Sequence, residues 1–98
     1  MIYHIGLIRL KPEVNDRARD AFMKKAEQML GPIPGVRNLR VGSGLGLKAE
    51  REHPVALFME FDDEATLAGY QVHPEHERFV SDVVGPIQED KKVYDYFV

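Results

Sequence analysis

From Ile2 to Leu10 the chain is apolar on both sides of a period-two pattern. Ile2, Ile8 and Leu10 share one side with His4 and Gly6, while Tyr3, Ile5 and Leu7 share the other. The pattern predicts a strand covered on both faces, ended by Pro12. After it, Ala18, Phe22, Ala26 and Met29/Leu30 recur at helical spacing, with Arg17, Arg19, Lys24 and Lys25 on the wet side. Asn15 suits the N-cap and Asp16 the first turn, where the helix dipole favours a negative charge. The run Gly31 to Gly35, "GPIPG", stops this helix and turns the chain.

Val36 to Val41 reads as a second, more polar strand, and "GSGLGLKAEREH" after it as a flexible loop. Pro54 precedes the strongest strand, "VALFMEF", with Val55, Leu57, Met59 and Phe61 on one face and Ala56 and Phe58 on the other. Asp62 or Asp63 caps a short helix running through Leu67 to Tyr70. Pro74 opens a further helix that carries Phe79, Val80, Val83 and Val84 inward until Gly85-Pro86 breaks it. Lys91 to Val98 closes the chain as a strand.

Strand, helix, strand, strand, helix, strand is the ferredoxin-like βαββαβ order: an α+β fold with an antiparallel four-stranded sheet and helices on one face. Those helices cover one face only, yet the first and third strands are apolar on both. The uncovered face is then a large apolar patch, and sheet-against-sheet homodimerisation is its simplest remedy. The space between the two sheets is the expected pocket.

Composition narrows the function. The 98 residues suit a single domain, 1–98, of ordinary globular composition. With 13 basic against 16 acidic residues and no basic stripe or tail, a nucleic-acid partner is not expected. Cysteine is absent, which removes disulfides, thiolate metal sites and cysteine nucleophiles. The start, "MIYHIGLIRLKPE", lacks the layout of a secretory signal, and no apolar run approaches the ~20 residues of a membrane span. A cytoplasmic location without a membrane partner is the default expectation.

Candidate chemistry concentrates in "GYQVHPEHERFV", Gly69 to Val80. Pro74 places His73 at a capping position, where its ring can accept a backbone N–H. His76 falls in the first helical turn, where the dipole disfavours a charged ring and a neutral imidazole can act as a general base. Glu75 and Glu77 oppose that shift, leaving no net direction. Tyr70 offers a phenol that can donate to a carbonyl or enolate oxygen. His4 is the outlier in an apolar strand and needs a partner or a pocket.

Other motifs weaken on inspection. His73 and His76 with Glu77 or His4 suggest a metal, but H-E-x-x-H is absent and the expectation is no metal and no cofactor. "GSGLG" fails both the G-x-G-x-x-G and the G-x-x-x-x-G-K-[ST] patterns, so a turn or a lid-like loop is the better reading. Neither Ser43 nor Ser81 sits in a nucleophile elbow. Asp82 and Glu89 to Asp90 suit solvated faces, and Asp95, between Tyr94 and Tyr96, suits the anchoring of a loop or helix start.

The chain resembles the stress-responsive dimeric α/β-barrel (Dabb) family. The matching pieces are "HIGLIRLKP", "IPGVRNLRVG", "ALFMEFDDEATLAGYQVHPEHERFV" and the terminal "VYDYFV". Tyr-x-x-His-Pro-x-His is the most specific of them. The resemblance implies a ferredoxin-like protomer whose sheets close into a barrel across a dimer. It also implies, from similar plant polyketide cyclases, aldol-type ring closure without a cofactor. Tyr70 and His76 match the tyrosine and acid–base histidine of that chemistry, and His4 matches a first-strand pocket histidine. The charged loop Lys48 to Glu52 departs from the pattern. Two readings follow: a small cofactor-independent cyclase-, lyase- or isomerase-like enzyme binding a partly apolar organic molecule, or a non-catalytic stress-response protein whose barrel is structural.

Overall fold

The alternation along the first strand is realised residue by residue. In the computed structural model, which describes Met1–Val98, Ile2, His4, Gly6 and Ile8 are buried while Tyr3, Ile5 and Leu7 lie on the opposite, more open face. The strand is β1 (Ile2–Leu10). It is followed by α1 (Asp16–Leu30), β2 (Arg37–Ser43), β3 (Val55–Phe61), α2 (Glu64–Gln71), α3 (Pro74–Arg78) and β4 (Gln88–Phe97). The sheet order is β2-β3-β1-β4, and every neighbouring pair is antiparallel. This is the ferredoxin-like α+β fold, and no helix in it is long and apolar enough to cross a membrane.

All helices pack on one face of the sheet. Ile2, Ile8, Val55, Leu57, Met59 and Phe61 point from the strands into a core completed by Phe22, Ala26 and Leu30 of α1, Leu67 and Tyr70 of α2, and Phe79 and Val84 beyond α3. Local chemistry sets the boundaries. Asn15 accepts a hydrogen bond from the Ala18 amide at 2.8 Å, and Asp63 accepts from the Thr66 amide at 2.8 Å, so both caps form as the sequence predicts. Gly31 stays helical, and α1 ends because Pro32 has no N–H to continue it.

In the turn after α1, Gly35 is left-handed, at φ +91°, and an added Cβ there would collide with the Thr66 side chain. Gly35→Ala is expected to cost about 1–3 kcal/mol in a denaturant titration, combining backbone strain with that clash.

Several boundaries differ from expectation. β2 extends to Ser43 and β4 begins at Gln88, because ladder pairing with β3 and β1 continues past the apolar runs that signal them. The helix opened by Pro74 ends at Arg78 and passes into a π-helical turn, Phe79–Val84. The glycine-rich loop is not free: Ala49–Glu52 forms a 3₁₀ turn, and the Glu50 carboxylate accepts from the Leu47 and Lys48 amides at 3.0 and 3.3 Å. His53 Nε2 meets Asp90 Oδ2 at 2.7 Å, and Arg9 reaches Glu89 at 3.1 Å and Glu52 at 3.5 Å. Asp90 therefore anchors this loop to β4 instead of lying on a solvated face.

The other face of the sheet carries no helix. Tyr3, Ile5 and Leu7 of β1 stand beside Phe58 of β3 and Tyr94 and Tyr96 of β4, with the two β4 rings stacked at 6.4 Å. Arg40 and Asn38 of β2 border the patch with Glu60.

Candidate functional site between sheet and helices

Tyr70, His76 and His4 come together, but not where the space between two sheets would lie. His4 is an even-numbered β1 residue and points toward the helices. Tyr70 on α2 and His76 on α3 reach the sheet from that same side. The cluster therefore occupies the layer between sheet and helices within one protomer, on the other side of the sheet from the expected space between two sheets. Its walls include Leu57, Met59, Phe79 and Val84, around a cavity of about 50 Å³.

The three rings touch one another. Tyr70 and His76 have centroids 4.5 Å apart, and His4 meets Tyr70 edge-on at 5.8 Å. Phe61 packs against both, at 6.0 Å from His4 and 5.1 Å from Tyr70. His4 and Tyr70 are 7% and 2% exposed, so neither side chain is positioned by solvent.

The hydrogen bonds assign the imidazole tautomers. His76 Nδ1 lies 2.9 Å from the Gln71 carbonyl, which can only accept, so Nδ1 carries the proton and Nε2 of the neutral ring keeps its lone pair. His4 Nδ1 lies 2.5 Å from Asp95 Oδ1, which orients that ring in the same way. Burial lowers the His76 pKa below its ordinary 6.5, with the electrostatic influence of the neighbouring His4 and Lys91 adding to the effect; the Gln71 hydrogen bond and Glu77 oppose it. The net direction that the sequence left open is therefore downward, decided by desolvation. Burial pushes the Tyr70 phenol well above the ordinary tyrosine range, so it stays protonated and can donate.

Because the folded ring binds a proton less readily than the unfolded one, His76 favours folding fully above pH 6.5 and loses that contribution as pH falls through its lowered value. Any reaction using its lone pair should keep its plateau at neutral pH, with an acidic inflection below 6.5 in the rate profile.

His73 does what Pro74 predicts: its Nδ1 accepts the Glu75 amide at 3.1 Å and caps α3. The rings of His73 and His76 thus engage separate backbone groups, and no cluster of three or more His, Asp or Glu side chains is placed to hold a metal ion. Asp95 is the member of this cluster that sequence reasoning misplaced. It holds no loop or helix start; it faces His4 across the β1–β4 ladder. The only sequence signal was a carboxylate on the apolar side of a strand, and strand register was needed to give it a partner.

Known proteins resemble this chain in sequence and in fold. Olivetolic acid cyclase of Cannabis sativa is 23% identical over 96 residues, covering 97% of this chain and 94% of the cyclase. A Dabb family protein with a ferredoxin-like fold from Mesorhizobium loti superposes with a TM-score of 0.88 at 28% identity, covering 99% of this chain and 95% of that one. A dimeric ferredoxin-like protein of unknown function from Thermobifida fusca does so with a TM-score of 0.85 at 25% identity, covering 99% and 90%. The family model of the stress responsive A/B barrel domain matches residues 2–98, and the chain belongs to that family.

Proposed function

We propose that the protein is a homodimer, sheet against sheet, and that each protomer binds a small, partly apolar carbonyl compound between sheet and helices for cofactor-independent acid–base chemistry. One observation carries the chemistry: a neutral imidazole with a free Nε2 stands 4.5 Å, centroid to centroid, from a phenol that burial keeps protonated. His76 Nε2 would take a proton from the carbon beside the carbonyl. The electron pair of that C–H bond then moves onto the carbonyl oxygen, and the Tyr70 hydroxyl stabilises the resulting enolate by donating to it. His4, held by Asp95, packs against Tyr70 and positions it. The enolate can be reprotonated or can attack a second carbonyl, the step of an aldol-type closure; the cyclase among the relatives supports that direction.

The test needs no knowledge of the natural product. In D₂O, the protein should speed deuterium incorporation beside the carbonyl of small ketones and keto acids, followed by NMR. No incorporation above buffer would leave the other reading, a structural barrel. The narrowness of the cavity favours that alternative, since about 50 Å³ holds little more than one or two waters.

The dimer rests on the uncovered sheet face and on the dimeric relative from Thermobifida fusca. Phe58 stands exposed at the middle of that face, opposite Ile5. Phe58→Asp should convert a wild-type dimer into a monomer in sedimentation, because a buried unpaired carboxylate opposes the association. A wild-type protein that sediments as a stable monomer at micromolar concentration would sink the sheet-face argument.

A further inference from the structure

The cavity that holds His4, Tyr70 and His76 is bordered on one side by β4, the edge strand of the sheet. Lys91 and Val93 line that side, both exposed. Lys91 pairs with Ile8 in the ladder and so lies on the helix side, whereas its neighbour Lys92 pairs with Leu7 and lies on the open face. Lys91 is the one lysine or arginine in the lining, and the lining contains no carboxylate. It takes part in no ion pair of the structure. Its charge reaches His76, where it opposes protonation of the ring; Glu77 acts on the same ring in the opposite sense but lies outside the lining.

Size and charge point the same way. A cavity of about 50 Å³ encloses only the reacting fragment of a carbonyl compound. The remainder must extend out of the cavity, and Lys91, exposed and unpaired, is the charged residue of the lining that it can meet. Building on the proposed carbonyl chemistry, we infer that the site selects carbonyl compounds that are also anions, with a carboxylate held by Lys91 while the carbonyl lies against Tyr70. Lys91 is then a specificity residue, and neutral ketones of the same size are the poorer ligands.

Pyruvate, acetoacetate and levulinate, each paired with its neutral methyl ester, test this directly. Binding is read from the His76 and Tyr70 ring signals in NMR titrations of the full-length ¹³C-labelled protein. For at least one chain length the wild type should bind the acid about five- to tenfold more tightly than the ester, the size of one partly solvated charge-assisted contact. That preference should shrink as salt is raised. Lys91→Gln should abolish it and Lys91→Glu should reverse it, while Lys92→Gln, a charge loss on the opposite face, should leave it intact.

Equal binding of acid and ester by the wild type would overturn the assignment of Lys91. So would a preference that survives Lys91→Gln, or one lost equally in Lys92→Gln. If neither ring responds to any acid or ester, the carbonyl-binding reading itself fails, a result distinct from the failure of Lys91 alone.

Discussion

His76→Ala should cut deuterium incorporation beside a ligand carbonyl by about 10²–10⁴-fold, the usual contribution of a positioned general base. Its effect on stability should be small by comparison. The half-buried ring makes one local hydrogen bond, to the Gln71 carbonyl, worth about 1 kcal/mol or less net. In a chain of this length that corresponds to a fall of less than about 8 °C in melting temperature. Tyr70→Phe is the companion test. The Tyr70 hydroxyl has no partner among the side-chain hydrogen bonds and is not a sealed, unsatisfied atom, so its removal should leave the melting temperature nearly unchanged. Activity should nonetheless drop about 10²-fold or more as the donor to the enolate oxygen disappears. A collapse of stability in either variant, with activity falling only in proportion, would give that residue a structural role in place of a chemical one.

Phe61→Ala should produce the largest stability loss of any single change near the site. Phe61 is 0% exposed at the end of β3 and pairs with Ile2 of β1. Truncating a fully buried phenylalanine costs about 3–5 kcal/mol through lost transfer energy and an unfilled cavity. That corresponds to a drop of roughly 15–30 °C in melting temperature. The same ring is the wall against which His4 and Tyr70 rest, so activity in the still-folded protein at low temperature should fall as well. A loss below about 1 kcal/mol would mean that the space is refilled by neighbours and that the ring does not hold the site.

Much of the fold could be read from period and punctuation. The two-sided apolar pattern of β1 and β3, the Asn15 and Asp63 caps and the Pro74 helix start all rest on interactions within a few residues. His73 as a cap was legible for the same reason. The tethered 3₁₀ turn was not, because its anchor, Asp90, lies 37 residues from His53. The early start of β4 was hidden likewise: Gln88 to Asp90 are polar, and only pairing with β1 makes them a strand. Tyr70 and His76 could be singled out locally as the polar rings left unexplained by helix building. The raised proton affinity of Tyr70 and the lowered one of His76 could not, since both follow from burial by distant elements.

What the chain's own order of residues determines, then, is the set of elements, the side of each strand that is apolar, and a short list of side chains with chemistry to offer. Local hydrogen bonding and periodicity are enough for that. Tertiary structure alone decided that His4 faces the helices beside Tyr70 and His76, that Asp95 is its partner across 91 residues of sequence, and that Lys91 rather than Lys92 borders their cavity. The physical reason is register. A shift of one residue in the β1–β4 ladder would turn Asp95, Lys91 and Lys92 to the opposite face, and the contacts that set the register join segments from the two ends of the chain.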